Sequence, residues 1–366
     1  EYVDEKGNHF VGISAARDLR EAKNEWKGYL TEDTLSKALE ENRTINNSKE
    51  ALSDDITEQN KAYAKKQGIV SIIDVISQAF SEYRDYNYYA ADNVSDDEVG
   101  AIYERRISAL KEWFDSGEET FTQEEKDFMI QKYEDLETPF YYEYMDGWAA
   151  LLQNISTFIL ILALVIGFFV SGIFSDEFQA KADSIFFSTR FGRSRGISAK
   201  VGAGFCITTG FYVIFVLLYT FIVLFVLGVD GANCTIQLDL WRSVYNITFL
   251  QAYLFIVLGG YIGTIFASTL AMWVSALTRS TPTAIIVPFI VLCAFPFLSR
   301  IITLPGLCSF FPDQLLEIYL DIKEAGLVTS GGKVTTIATV IVPVYAVICL
   351  ILLPVLYKVY KKTEIK

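Results

Sequence analysis

The fold of this chain is decided by residues 174–200, which read FSDEFQAKADSIFFSTRFGRSRGISAK. This stretch separates two long segments, 147–174 and 201–229, that contain no Asp, Glu, Lys or Arg. Each segment is longer than the ~20 apolar residues that a helix needs to cross a bilayer. We therefore predict that the stretch is a short loop on one face of a membrane.

The loop is both basic and amphipathic. Its five basic residues outnumber its three acidic ones, and phenylalanines interleave with these charges. Dense Lys and Arg in a short loop indicate the cytoplasmic side of a membrane. A connection that only reversed the chain would need neither this length nor the phenylalanines, so we expect a partner to dock there. The basic residues are Lys181, Arg190, Arg193, Arg195 and Lys200.

Composition divides the chain into two parts. Of its 366 residues, 52% are hydrophobic, and the formal net charge is −13. Residues 1–146 contain 34 acidic and 17 basic side chains, whereas residues 147–366 contain 10 acidic and 14 basic ones. We therefore expect the two parts to lie in different surroundings. The acidic part lacks the basic patch that a nucleic-acid-binding surface requires.

The uncharged runs predict an all-α polytopic membrane protein of the cell membrane. Counting basic residues places loop 175–200, Arg279 and the C-terminus on the cytoplasmic side. Residues 1–146 then form an extracellular domain and residues 147–366 a transmembrane domain. We expect five transmembrane helices, at about 148–174, 201–229, 247–278, 280–299 and 334–357.

An acidic domain of this size cannot reach the outside without an export signal or a preceding span. The sequence begins with Glu1 rather than Met, and residues 1–146 contain no such segment. We therefore expect a further N-terminal span upstream of this sequence, which brings the total to six.

The extracellular domain is predicted to be mostly helical. Two residue pairs, Ser95 with Glu98 and Thr122 with Glu125, fit the capping box, in which each side chain bonds the other residue's backbone N–H group. Each pair precedes a segment with helical periodicity, and Gly117 is placed to end the first of these helices.

An aromatic cluster lies where the outer domain meets the first span. Amphipathic rings favour the headgroup level of a bilayer, so one interpretation is an interfacial belt. The alternative is that these rings belong to the core of the outer domain. The cluster consists of Phe140, Tyr141, Tyr142, Tyr144 and Trp148.

Two smaller features concern packing and oxidation. Gly259 and Gly263 form a GxxxG pair in the third span, which permits close approach of a helix from the same chain or from a second copy. Cys234 and Cys308 both fall in predicted outer loops, where they form either a disulfide or two free thiols.

Several kinds of catalytic site are excluded by the residues present. No GxxxxGK[ST] loop occurs, so we expect no nucleotide or other cofactor in this chain. The single histidine, His9, cannot supply a Ser-His-Asp or Cys-His arrangement, and the cysteines lack metal-site spacing. The predicted spans contain no charged residue, which argues against an ion-coupled carrier. Energy then has to come from a partner.

The order of these features resembles the type 2 ABC exporter permeases, most strongly over residues 174–304. In that family a span ends in an acidic residue, and a short coupling helix, a basic cluster and a lysine follow before the next span. Segment 183–189 is similar to the coupling helix, and segment 311–322 to a short outer helix before the last span. The matching residues are Glu177, Asp183, Arg190, Arg193, Arg195 and Lys200, with Arg279 at the end of a later span.

The resemblance implies that the chain is the membrane-spanning permease subunit of an ATP-driven exporter and not itself an enzyme. It implies an ABC-type ATPase subunit that docks on loop 175–200 and holds the ATP and Mg, and a second permease copy or related subunit. Within the loop we interpret Phe186 and Phe187 as anchors that insert into the ATPase.

The large outer domain resembles a subgroup found in Gram-positive bacteria, whose cargo is often unassigned or a peptide. The mostly apolar spans suit an amphipathic or lipid-like substrate or a peptide. The alternative function is a membrane sensor or scaffold, whose outer domain binds a peptide or cell-wall component and relays that state to a cytoplasmic partner.

The charge distribution predicts the accessibility of single cysteines introduced on the two sides. A cysteine at Ser116 of the full-length protein should react with an impermeant maleimide on intact cells, whereas one at Ser194 should react only after permeabilisation. Labelling is measured against the unsubstituted protein. Reaction of the Ser194 variant in intact cells would overturn the orientation.

Overall fold

A computed structural model of the chain describes residues 1–294 and 308–362. The chain divides into two compact units. Unit 1 contains Glu1–Leu151, Phe221–Ala252 and Thr329–Val334. Unit 2 contains Leu152–Thr220, Tyr253–Val328 and Thr335–Lys366. The acidic N-terminal part therefore folds together with the connection between two of the predicted spans.

Unit 1 is mostly helical, with two short antiparallel strand pairs. Strand β1 (Tyr2–Val3) pairs with β2 (His9–Phe10), and β3 (Gly28–Tyr29) pairs with β4 (Tyr141–Tyr142). The helices are α1 (Ile13–Asn24), α2 (Glu32–Asn46), α3 (Ile56–Lys66), α4 (Val70–Phe80), α5 (Asp96–Val99), α6 (Ile102–Ser116) and α7 (Gln123–Glu134).

Both capping boxes are confirmed. The Thr122 side chain accepts from the Glu125 backbone N–H at 3.3 Å, and the Glu125 carboxylate accepts from the Thr122 N–H at 3.0 Å. The Ser95 N–H likewise donates to the Glu98 carboxylate at 3.0 Å. Helix α6 ends at Gly117, whose φ of 74° is the left-handed conformation that glycine adopts without strain.

The aromatic cluster belongs to the core of unit 1. Phe140, Tyr142 and Tyr144 are each 1% exposed and Trp148 is 6% exposed, so the interfacial-belt prediction is wrong for these four. Phe140 packs edge-on against Tyr103 of α6, with ring centroids 4.9 Å apart. The rings are buried because the chain after α7 returns along β3, and the core alternative is therefore the right one.

A buried arginine joins α6 to the connection at residues 228–248 within unit 1. The Arg106 guanidinium donates to the carbonyl oxygens of Trp241 and Ser243, both at 2.9 Å, and stacks 3.5 Å from the ring centroid of Tyr133. Burial lowers the pKa of Arg106, but an arginine starts so high that the group stays charged at neutral pH. Two carbonyl dipoles and a ring face thus stabilise this charge.

Within residues 1–294 and 308–362, four helices are long and apolar enough to cross a membrane. They are α8 (Asp146–Ser171), α11 (Ile197–Leu227), α12 (Phe249–Thr278) and α15 (Ile337–Lys361). The predicted span at 280–299 corresponds to α13 (Thr281–Cys293), which has 13 residues. Residues 295–299 of that predicted span lie outside the described residues. The described part of the chain therefore supports four of the five predicted spans.

Unit 2 also contains short elements between the long helices. They are α9 (Asp176–Gln179), α10 (Asp183–Ser188), a π-type turn (Gly192–Gly196), 3-10 turns at Cys308–Phe310 and Pro312–Leu315, and α14 (Ile318–Glu324). Strands β5 (Leu327–Ser330) and β6 (Lys333–Thr336) precede α15.

The GxxxG pair packs within the chain. A methyl group at Gly259 would lie 1.9 Å from Cδ1 of Ile318, and one at Gly263 would lie 2.7 Å from Cδ2 of Leu316. The two glycines are the eleventh and fifteenth residues of α12. They therefore lie roughly 15–21 Å from its first residue at a rise of 1.5 Å per residue. The predicted outer helix thus packs beside the middle of α12 rather than beyond its end.

Arg106→Lys should destabilise unit 1, because lysine cannot donate to both carbonyl oxygens or stack on Tyr133. We expect a loss of about 3 kcal/mol, since charged hydrogen bonds are broken in a buried site. Thermal unfolding of the full chain in detergent, followed by tryptophan fluorescence, measures the change. Arg105→Lys is the matched control, because Arg105 lies next in sequence and pairs with the exposed Glu112. Equal melting temperatures for the two variants would contradict the structural role of Arg106.

Candidate functional site

The candidate site is loop 175–200 together with the helix ends that it contacts in unit 2. The loop is a compact succession of α9, α10 and the π-type turn, and not an extended connection. Lys181 separates α9 from α10 with a φ of 53°, so the chain reverses there. Gly192 is required in the turn, since a methyl group on it would lie 1.9 Å from the Phe186 carbonyl oxygen.

An ion pair joins residues near the two ends of the loop. Lys200 Nζ lies 2.5 Å from Glu177 Oε1, and the two side chains are 16% and 21% exposed. Lys200 also donates to the carbonyl oxygen of Ile173, at the end of the preceding span. The Tyr360 hydroxyl donates to Glu177 Oε2 at 3.3 Å. The sequence-predicted residues Glu177 and Lys200 are therefore direct partners.

Aromatic rings surround this ion pair. Tyr360, near the end of α15, is fully buried, and its ring centroid lies 4.7 Å from that of Phe174 and 5.2 Å from that of Phe187. The Lys200 ammonium lies 5.6 Å from the Phe174 centroid and 5.5 Å from that of Phe186. We call these six residues the anchoring cluster: Phe174, Glu177, Phe186, Phe187, Lys200 and Tyr360.

Further contacts attach the loop to other helix ends. Arg193 donates to the carbonyl oxygen of Lys361 at 2.9 Å and lies 4.8 Å from the Phe187 ring centroid. Gln179 donates to the Thr281 hydroxyl at 2.8 Å, at the start of α13. Arg279, in the turn between α12 and α13, lies 4.7 Å from the ring centroid of Phe178. The loop thus contacts the ends of α8, α11, α13 and α15.

The exposed apolar side chains of the loop are not the ones that the sequence indicated. Phe187 is 5% exposed because its ring packs on Tyr360, and Phe186 is half-buried because its ring faces Tyr360 and Lys200. Ile185 is 69% exposed and Phe191 is 46% exposed. Phe187 is therefore an internal residue, and sequence reasoning missed Ile185. The sequence carried no signal that singled out Ile185, because the ring that buries Phe187 belongs to Tyr360, near the other end of the chain.

Two arginines flank the exposed ring. The guanidinium groups of Arg190 and Arg195 lie 5.2 and 4.8 Å from the ring centroid of Phe191. We refer to the four exposed side chains of the loop that matter below as the exposed patch: Ile185, Arg190, Phe191 and Arg195. Asp183 begins α10 and is half-buried.

The remaining predicted residues lie elsewhere. Gly259 and Gly263 pack on segment 312–318 as described above. Cys234 is buried in unit 1, while the side chain of Cys308 lies outside the described residues, so both alternatives for this pair stay predictions. Within the described residues, no group of three or more His, Cys, Asp or Glu side chains is arranged to hold a metal ion.

Comparison with known proteins identifies one family. The family described as ABC-2 family transporter protein matches residues 13–318, which is well over half of the chain. The match includes loop 175–200 and ends before Tyr360. No curated protein and no solved structure matches the chain.

Glu177→Gln should loosen the loop, because it leaves the Lys200 charge largely buried without a carboxylate. We expect a local cost of about 2 kcal/mol, below the value for fully buried pairs because both groups keep some exposure. Local opening exposes the loop to protease, so trypsin cleavage after Arg190 or Arg195 should accelerate at least about tenfold. Asp176→Asn, at the exposed neighbouring carboxylate, is the control. Unchanged cleavage in Glu177→Gln would show that the ion pair does not hold the loop.

Proposed function

The chain belongs to the ABC-2 family of transporter proteins, and we propose that it is the membrane-spanning permease subunit of an ATP-driven ABC exporter. Membrane proteins of this family act with an ABC ATPase. We place the docking surface of that ATPase on loop 175–200. The chain carries out no hydrolysis itself, and the ATP and Mg are bound in the partner.

The exposed patch of the loop carries this proposal. Ile185 and Phe191 offer apolar anchors of the kind that insert into a groove, and Arg190 and Arg195 lie beside the Phe191 ring to meet acidic groups. A loop that only enforced topology would need the arginines but not an exposed isoleucine and phenylalanine. The patch therefore suits a protein partner with an apolar groove and an acidic rim.

The anchoring cluster supports a role in transmitting movement. A rigid loop moves as one body, so a displacement of the exposed patch reaches the ends of α8, α11, α13 and α15 through the contacts of Ile173, Lys200, Thr281 and Tyr360. ATP binding closes the ATPase pair, and this movement rearranges the spans to open a route outward.

The same contacts support the orientation. Loop 175–200 and the end of α15 lie at one end of unit 2, because Arg193 bonds the Lys361 carbonyl and Phe187 packs on Tyr360. The basic residues Arg190, Arg195 and Lys358 are thus collected on one side, which is the cytoplasmic side by the positive-inside rule. Residues 1–146 are then extracellular in a multi-pass cell-membrane protein.

An apolar cleft supports an amphipathic cargo. A cavity of about 280 Å³ in unit 2 lies between α8, α12 and α13 and is lined by apolar side chains, among them Ala163, Phe168, Pro288 and Phe289. Such a surface accommodates an acyl chain or the apolar face of a peptide and has no group to coordinate a small ion. Two copies of the chain, or one copy and a related subunit, form the complete path.

The sensor or scaffold alternative shares the docking loop but moves no cargo. Proteoliposomes that contain the chain and its ATPase distinguish the two functions. ATP-dependent movement of an amphipathic peptide or lipid probe supports the exporter, and ATP hydrolysis with no movement of any such probe supports the sensor.

The double variant Ile185→Ala and Phe191→Ala should lose the co-purifying ATPase, because loss of a buried interface anchor costs about 2 kcal/mol or more. Its thermal stability should stay unchanged, since both side chains are exposed. The amount of ATPase that co-purifies and ATP-driven transport are the measurements.

The matched control is Ile214→Ala with Phe221→Ala, which removes exposed side chains of the same size from α11. The control should retain its ATPase. A loop variant with normal ATPase content and full transport would refute docking at this patch.

A further inference from the structure

A cavity in unit 1 is lined by aromatic and planar polar side chains. Its volume is about 380 Å³, within the range of about 300–1,000 Å³ that ligand pockets occupy. All of its lining residues belong to unit 1. Those that matter to the argument are Tyr29, Tyr141, Asp135, Glu137, Asn233 and Gln251.

One wall carries the aromatic rings. Tyr29 and Tyr141 face each other in register across the β3–β4 pair, with ring centroids 5.4 Å apart in an edge-on arrangement. Tyr29 is 60% exposed although the neighbouring Leu30 is fully buried. An exposed ring face is electron-rich, and the C–H groups on one face of a sugar ring are complementary to it.

Planar polar groups line another part of the cavity, together with apolar residues such as Leu136, Pro139 and Ile247. Among the described residues, the side chains of Asp135, Glu137 and Asn233 have no hydrogen-bond or ion-pair partner, and all three are exposed. The Gln251 Oε1 accepts from the Thr248 backbone N–H at 2.9 Å, which leaves its NH₂ group for a ligand. Carboxylates and amides can each bond two adjacent hydroxyl groups, which is the pattern that a pyranose presents.

Both walls are formed before any ligand binds. The Leu30 N–H donates to the Phe140 carbonyl at 2.8 Å, and the Tyr103 hydroxyl donates to the Leu30 carbonyl at 3.0 Å. On the other side, Thr235 and Thr248 form an antiparallel bridge. A preformed cavity avoids the entropic cost of ordering its walls on binding.

The charge of the cavity restricts the ligand. None of its described lining residues is basic, while Asp135 and Glu137 are acidic. The nearby Lys27 is paired with Glu143 and does not line the cavity. Acidic sugars are therefore disfavoured, and neutral or amine-bearing sugars are compatible.

A peptide is a poorer fit. Peptides commonly add a strand to an exposed sheet edge, and the pair beside this cavity has only two residues in each strand. The cavity also lacks a cation to hold a peptide carboxylate. We propose that this cavity binds a one- or two-ring saccharide that is neutral or carries an amine.

Calorimetric titration of the full chain in lipid nanodiscs tests the proposal. Four probes are used. Two are disaccharides, namely cellobiose and a disaccharide of two glucosamine units, and the other two are glucuronic acid and the peptide Lys-Gly-Lys. At least one of the two disaccharides should bind in the millimolar range or more tightly, and more tightly than glucuronic acid and the peptide.

Tyr29→Ala should weaken this binding about tenfold, the size expected from loss of one aromatic contact. Tyr89→Ala is the control, because Tyr89 is 66% exposed and lies outside the cavity. The double variant Asp135→Asn and Glu137→Gln should reduce the discrimination against glucuronic acid. Asn233→Ala, at an exposed site, provides an independent test in case Tyr29→Ala does not fold.

Three outcomes overturn the proposal: no disaccharide binds to the folded protein, binding is equal in Tyr29→Ala and Tyr89→Ala, or the peptide binds more tightly than the disaccharides. The titration contains neither ATPase nor ATP. Its result is therefore independent of whether the chain acts as an exporter.

Discussion

The buried ion pair between Glu177 and Lys200 is the interaction on which the end of unit 2 that contains loop 175–200 depends. Removing two charges from water costs several kcal/mol for each, and this cost is offset only when the remaining bonding capacity of both groups is satisfied. Here the Ile173 carbonyl, the Tyr360 hydroxyl and the faces of Phe174 and Phe186 supply those contacts. The partners come from the ends of different helices, so the ion pair is stable only when these ends are assembled together.

This dependence explains how a short loop can be rigid. Helices of four and six residues, such as α9 and α10, are too short to be stable alone. Their rigidity comes from tertiary contacts, in which Phe187 packs on Tyr360 and Arg193 holds the Lys361 carbonyl. The apolar side chains left outside this packing, Ile185 and Phe191, stay exposed, and they are the ones we propose for docking.

Unit 1 also contains a buried charge, which is stabilised without a carboxylate. The Arg106 charge is held by two backbone carbonyls and the face of Tyr133. Because those carbonyls belong to the connection between α11 and α12, the acidic N-terminal part and this connection form one folded unit. The aromatic cluster is buried in the same unit, and this packing also shapes the walls of the cavity around Tyr29 and Tyr141.

The sequence by itself determined the features that depend on local information. Apolar length located the long helices, and the capping boxes at Ser95 and Thr122 are bonds between residues three apart. Only the tertiary structure decided which phenylalanine of the loop is internal, since the rings of Phe186, Phe187 and Phe191 are chemically equal and differ only in their distance from Tyr360. That tyrosine lies 183 residues from its partner Glu177. The packing of Gly259 on Ile318 and the burial of Phe140 against Tyr103 are likewise long-range contacts. Residue type and spacing along the chain do not indicate such contacts.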